Sequence, residues 1–533
     1  MSGQRSSLEA WSRLARFRVR LDRLRIAAWV AAGLLLTALV AATWDSLYPT
    51  AAERLNFAAT LQAAPALTAL LGPLQAPEST GGLTTWRIGA ISVLLMGIVA
   101  VFLVVRNTRA DMSAGRAELI LSGRVHRRAL ISAGVFPAVV LSLGVAGACT
   151  AALGLGGRGW AGSVIYGLSI GGSLLVFTAI ASITAQAVNS TRGANGLGIL
   201  LIALAFVVTA IGNTRDSSLL TNLTPFGWMS KASPFANEQW AWALLPWVVA
   251  LALMLLSLAL ASVRDVGSAW IGERLGSPQA PPWLCTPAAL FWRVDMSLIL
   301  GWCIGLLGLS VFMGYLTGSL TQLLAENPQI QEMMNRLANG SSNTSLTPVV
   351  LAFTALGVAA FPISLLLRQA NDESEGRLEL LLSTRMRRSQ ILGSRVIEAL
   401  LGAVVLQVLI GTGVGFVAGF FADDRWQTFG DSLGNAIVAL PAVWCIAGLT
   451  ALLVGCAPHL SWLAWLALAW CVVVGELGPL MNLPEWTQRL TPYWYNPDWP
   501  LGASLWPALV MVVISGLLVA VGFAGFTRRD LPR

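Results

Sequence analysis

Residues 111–128 read DMSAGRAELILSGRVHRR, and residues 372–389 read DESEGRLELLLSTRMRRS. At an offset of 261, ten of the eighteen positions are identical, among them Asp111/Asp372, Gly115/Gly376, Arg116/Arg377, Glu118/Glu379, Leu119/Leu380 and Ser122/Ser383. Polar identity at that density, repeated near half of a 533-residue chain, points to an internal duplication. Weaker matches flank it. Arg20, Asp22 and Trp29 answer Arg293, Asp295 and Trp302 at offset 273, and Leu223, Thr224 and Pro225 answer Leu490, Thr491 and Pro492 at offset 267.

Around these loops the chain is apolar: 56% hydrophobic, 11% charged, mean hydropathy +0.70. Soluble domains carry about 25% charged residues. Too little polar surface remains to face water, which excludes a soluble enzyme and makes the bilayer the solvent. Twelve apolar runs of membrane-spanning length are expected, six per repeat, at 26–44, 88–105, 129–153, 161–188, 196–211, 241–263, 296–317, 348–367, 396–421, 431–457, 462–480 and 501–526. The expected fold is an all-α polytopic membrane protein of twelve transmembrane helices. Because six is even, its two homologous six-helix halves insert in parallel. The expected division is an amphipathic elbow helix at 1–25, a first half at 26–263, a Pro-rich cytoplasmic linker at 264–290, a second half at 291–527 and a tail at 528–533. Residues 1–25 are polar and basic, unlike a signal peptide.

Lys and Arg settle the expected orientation. Of 34, 26 fall on the side that holds both termini, so both are expected in the cytoplasm of a bacterial cell, with the chain in its plasma membrane. Leu8, Trp11, Leu14, Leu21 and Leu24 recur near helical spacing among arginines, so segment 1–25 is expected to lie as an amphipathic helix along the inner membrane surface, the plainer alternative being a flexible basic tail that enforces topology.

Several chemistries are excluded. Lys231 is the one lysine and Ala232 follows it, so no G-x-x-x-x-G-K-[ST] phosphate loop exists and the chain has no ATP site of that type. The two histidines, His126 and His459, stand apart, and the six cysteines form no C-x-x-C pair, so neither a metal nor a disulfide framework is expected. No catalytic residue, no cofactor in the chain and no nucleic-acid partner are expected.

On one continuous helix, Asp111, Gly115, Glu118 and Ser122 share a face, as do Asp372, Gly376, Glu379 and Ser383. Ala117, Ile120 and Leu121, with Leu378, Leu381 and Leu382, form an apolar face. Such an element reads as a docking helix whose glycine admits a partner's backbone and whose acids suit that partner's arginines or lysines. The plainer alternative is a solvated loop whose arginines only enforce topology. Glu373 and Glu375 stand where Met112 and Ala114 do, so the second copy is expected to be the more acidic and the stronger binder.

The G-R-x-E-L-x-L-S loop between the second and third of six spans resembles the coupling helix of ABC-2 type exporter permeases. The fused two-half form is similar to bacterial exporters of polyketide antibiotics of the tetronasin-resistance type. That resemblance implies a type V ABC exporter architecture and two copies of a soluble ATP-binding subunit, which carries the ATP and Mg. These would dock at Asp111, Gly115, Arg116, Glu118 and Ser122 and at Asp372, Gly376, Arg377, Glu379 and Ser383, and drive export of a small hydrophobic or amphipathic compound. It also implies a route between the halves involving their second and fifth spans, for which Phe102, Phe206, Phe353, Phe361, Trp465 and Trp470 are candidate lining residues.

Glu476 lies within an apolar run and is a candidate by its position, or else an acid that snorkels to the outer face. Glu398, one turn after Arg395, is expected to form a local ion pair. Rival readings are a proton-coupled twelve-span secondary transporter and a membrane-embedded lipid or sugar transferase. Against the first stands the absence of a G-x-x-x-D-R-x-G-R loop; against the second, the absence of clustered His, Asp or Glu.

Overall fold

The computed structural model describes residues 2–62, 65–113, 115–122, 126–215, 217–262, 279, 281–326, 347–374, 376–384, 386–474, 485–497, 499 and 505–529. All regular structure among them is helical, and eleven helices are long and apolar enough to cross a membrane. The run expected at 462–480 is described only as the helix Leu463–Val472 and the residues to 474. Its remainder, with Glu476, lies outside the described residues, as do Glu375, most of the 264–290 linker and residues 530–533. Helices divide into two compact units, Met1–Gly276 and Ser277–Arg533.

In the first unit, α1 (Ser2–Leu47) is one helix with no break at residue 25, so the basic segment and the first span are continuous. Its length of about 69 Å at 1.5 Å per residue exceeds the ~30 Å hydrocarbon core. A buried stripe of Ala15, Arg18, Asp22 and Ile26 runs along it, while Phe17, Leu21 and Leu24 are exposed. The stripe is helical in period but places two charges against the protein, and that is why hydropathy alone marks a boundary there. Trp11 Nε1 donates to Ser132 Oγ at 3.0 Å and its ring meets Phe136 edge-on. The loop after α1 carries α2 (Ala51–Gln62) and α3 (Pro65–Leu71).

Next come α4 (Thr80–Asn107), two short helices α5 (Arg109–Ser113) and α6 (Arg116–Leu121), then α7 (Arg127–Gly154), α8 (Trp160–Ala187), α9 (Thr191–Thr214), α10 (Ser218–Asn222), α11 (Pro225–Lys231) and α12 (Trp240–Ser262). Helix α8 packs on α4, α7, α9 and α12. Small residues allow this approach: a Cβ on Gly172 would lie 2.7 Å from Trp247 Nε1, which itself donates to Leu168 O at 2.9 Å. Ser182, Gln186 and Ser257 form a buried polar tie between α8 and α12, with Oγ to Oγ at 2.7 Å.

The second unit is also helical throughout its described residues. Its helices are α13 (Pro287–Glu326), α14 (Thr347–Ser374), α15 (Arg377–Leu382), α16 (Arg388–Ala418), α17 (Arg425–Val438), α18 (Leu440–Cys456), α19 (Leu463–Val472), α20 (Glu485–Arg489) and α21 (Trp506–Arg528). The span expected at 431–457 is two helices meeting at Ala439, with Pro441 in the first turn of α18. Helices α18 and α21 cross at glycine: a Cβ on Gly455 would fall 2.1 Å from Gly522 O, and one on Gly448 2.9 Å from Ser515 O.

Candidate functional site

The repeated loop is not one helix. Gly115 and Gly376 have φ of +70° and +72°, the left-handed region that side chains with a Cβ resist, and each ends the preceding turn and starts a new helix. Asp111 and Glu118, or Asp372 and Glu379, therefore do not share a continuous helical face, which corrects the expectation from spacing. A Cβ at either glycine would meet nothing within 4 Å, so conformation, not crowding, is what the fold requires there.

Beyond the glycine the two copies agree closely. Glu118 N donates to Gly115 O at 3.2 Å and Glu379 N to Gly376 O at 3.3 Å, and Ser122 N and Ser383 N each reach the Glu carbonyl at 2.9 Å. Ser122 Oγ and Ser383 Oγ donate at 2.8 Å to Leu119 O and Leu380 O. These serines thus close their own short helices. The outward residues are Arg116, Glu118 and Leu119, and Arg377, Glu379 and Leu380; the leucines are 77% and 72% exposed. Leu378 is buried and Leu381 and Leu382 are half-buried, as the expected apolar face requires.

Behind each short helix lies an aspartate held by two guanidiniums. In the first unit, Arg116 reaches Asp111 Oδ1 at 2.9 Å while buried Arg18 of α1 reaches Oδ2 at 3.2 Å. In the second, Arg377 reaches Asp372 Oδ1 at 2.7 Å while buried Arg395 of α16 reaches Oδ2 at 3.0 Å. Charge-assisted pairs of this kind fix direction as well as energy. Asp111 and Asp372 therefore orient Arg116 and Arg377 and are themselves turned inward.

A second buried carboxylate anchors each network. Asp22 accepts from Asn107 Nδ2 at 2.7 Å and from Arg25 and Arg106 at 2.9 Å each, and Arg18 donates to the Asn107 carbonyl. Asp295 accepts from Arg368 at 2.6 Å and pairs with Arg395. Asp22 and Asp295 are a matched pair in sequence, but the deep arginines are not. At the same offsets Arg18 is answered by Phe291 and Arg395 by Gly134. Arg395 lies over the Phe291 ring at 4.5 Å, and Arg18 Nη1 lies 3.3 Å from where a Gly134 Cβ would be. The two units thus deliver the deep guanidinium from opposite helices, an exchange that residue-by-residue matching does not detect.

Two sequence expectations fail in the second network. Glu373 does not add to an acidic outer surface: it is buried and pairs with Arg529 at 2.5 Å. Glu398 does not pair with Arg395, whose guanidinium is already engaged by Asp295 and Asp372; neither Glu398 oxygen has a hydrogen-bond partner among the described residues.

Residues 284–527 match the family model described as "Multidrug efflux system permease Rv1217c, C-terminal domain". The whole chain is 33% identical over 525 residues to the multidrug efflux system permease protein Rv1217c of Mycobacterium tuberculosis (strain ATCC 25618 / H37Rv), covering 97% of this chain and 94% of that one. The chain belongs to the multidrug efflux system permease family.

Within the permease the aromatic candidates divide. Phe102, Phe353, Trp465 and Trp470 are exposed, between 42% and 49%. Phe361 is fully buried in the second unit's core and meets Trp302 edge-on, and Phe206 is half-buried against Phe226. Phe361 is a packing residue, whereas Phe206 also lines a small cavity with Ala90, Thr209 and Phe226. No group of three His, Cys, Asp or Glu poised for a metal occurs among the described residues.

Proposed function

We propose that the chain is the membrane subunit of an ATP-binding cassette exporter and that two copies of a soluble ATP-binding subunit dock on α6 and α15. On this reading twelve spans form two parallel six-span halves, both termini and both short helices lie in the cytoplasm of a bacterium, and the cargo is a hydrophobic or amphipathic drug-like compound. ATP and Mg belong to the partner. The observation that carries it is an outward helix built twice to one plan. Each has a left-handed glycine before it, an inward aspartate clamped by two arginines behind it, and a Glu–Leu pair exposed at its tip.

A loop that only sets topology needs its arginines, but it needs neither the clamp nor the repeated Glu–Leu tip. The near-full-length likeness to a protein named as a multidrug efflux system permease supports the cargo class.

The test is reconstitution of the chain with a candidate soluble ATP-binding subunit. Vanadate-sensitive ATP hydrolysis is expected only with both proteins present. Glu118→Lys and Glu379→Lys are each expected to lower the amount of ATPase that co-purifies while leaving the permease folded. Retention of the partner by the double variant would overturn the docking assignment.

A further inference from the structure

The first unit carries an open groove between the middle of α1 and the C-terminal end of α4, with a cavity of about 200 Å³. Ile26, Trp29, Val99, Phe102 and Leu141 line its apolar part, and Arg25 and Arg106 stand at its rim. Both arginines bind the same atom, Asp22 Oδ1, at 2.9 Å, and Asn107 occupies the other oxygen. Two cations thus share one anion while their side chains stay 56% and 47% exposed. Over the whole first network, Arg18, Arg25, Arg106 and Arg116 face Asp22 and Asp111. In the second network, Arg368, Arg377, Arg395 and Arg529 pair with Asp295, Asp372 and Glu373. The first is left with the larger positive excess.

The second unit is an internal control. At the offsets of the repeat, Arg25 and Arg106 are answered by Leu298 and Leu367. Ala100 and Leu141 are answered by Phe361 and Gly402, and the Phe361 ring fills the space over Gly402, where a Cβ would sit 2.4 Å from it. Phe361 belongs there to the buried core, and half-buried Leu298, Trp302 and Leu367 pack against it. The first unit lacks the plug and has added the cations. Beyond the groove, exposed Leu95 and Ile91 lie on the same face of α4 as Phe102, a face spanning about 16 Å at 1.5 Å per residue.

We propose that this groove binds one anionic phospholipid from the leaflet on the side of the N-terminus, its phosphate on Arg25 and Arg106 and an acyl chain along Trp29, Phe102 and Leu95. A guanidinium pair that shares a single carboxylate keeps a net positive charge and matches a phosphate, which accepts from both at once. The apolar groove running from the same rim requires a ligand with a tail, and a lipid is present wherever the protein is. The proposal is independent of any ATPase and of the cargo.

Native mass spectrometry of the full-length permease, released from micelles holding equal phosphatidylglycerol and phosphatidylcholine, tests it. The wild type should retain one phosphatidylglycerol at several-fold higher occupancy than phosphatidylcholine. Arg25→Gln with Arg106→Gln should erase that preference. Ala100→Phe with Leu141→Gly, which installs the second unit's plug and leaves both arginines, should remove the adduct altogether. Equal retention of the two lipids by the wild type, unchanged retention in the plugged variant, or displacement of the adduct by millimolar glycerol 3-phosphate would overturn the proposal, the last because the site would then recognise a head without a tail.

Discussion

Arg18 on α1 and Arg395 on α16 hold the same carboxylate oxygen, Oδ2, of Asp111 and Asp372, at 3.2 and 3.0 Å, although they sit at unmatched positions on different helices. The exchange can be run in the laboratory. Arg395→Gly strips Asp295 and Asp372 of a buried partner, and losing one member of such a pair costs about 3–5 kcal/mol. Adding Phe291→Arg restores the first unit's arrangement. The thermal unfolding midpoint of the detergent-purified permease should fall sharply in the single variant and recover by more than half in the double. A double variant no more stable than the single would refute the equivalence.

Gly115 and Gly376 adopt a left-handed backbone with empty space where a Cβ would be. Alanine there costs about 1 kcal/mol from φ alone and nothing from crowding. Gly376→Ala should therefore leave the midpoint nearly unchanged yet lower partner-dependent ATP hydrolysis by re-aiming α15. Full activity in Gly115→Ala/Gly376→Ala would mean that the turn has no part in docking.

Leu119 and Leu380 are identical in the repeat and exposed in both copies. A surface change shifts stability by roughly 0.5 kcal/mol or less. Leu119→Asp/Leu380→Asp should keep the fold, judged by elution as a single species, and lose at least tenfold in apparent affinity for the ATP-binding partner. Binding at wild-type strength would show that the tips face no protein.

Glu398 is buried with both oxygens lacking a hydrogen-bond partner among the described residues. An unsatisfied buried polar group costs about 1–3 kcal/mol. Glu398→Leu is expected to raise the thermal midpoint, and a fall would reveal an interaction that the static geometry does not contain. The glycine crossing of α18 and α21 gives the opposite sign. Gly455→Val places atoms on the Gly522 carbonyl and should lower the midpoint, its overpacking costing about 1–3 kcal/mol or more.

Hydropathy made most spans legible because lipid-facing and core helices alike must be apolar, and the repeated loop was legible because its polar residues recur at one spacing. Three physical causes account for the features that stayed hidden. Charges can be buried when paired, so Arg18 and Asp22 made the first 25 residues of α1 look like a separate surface segment. A helical wheel assumes an unbroken helix, and one positive φ at Gly115 takes Asp111 off the face of Glu118. Finally, a guanidinium is long enough to reach one place from two helices, so Arg18/Phe291 and Gly134/Arg395 read as two mismatches. Leu119 and Leu380 could have been singled out: their identity was visible, but on a wheel they fell between the polar and apolar faces.

The continuity of α1 turns a local grip into a lever. Arg18, about a third of the way along it, holds Asp111 of the repeated loop. Asp45, 27 residues and about 40 Å further on, pairs with Arg158 in the turn between α7 and α8. No proline or break lies between them. A push on the loop is therefore felt at the far turn as the swing of a single rod, and the stiffness of that rod sets how far the motion carries.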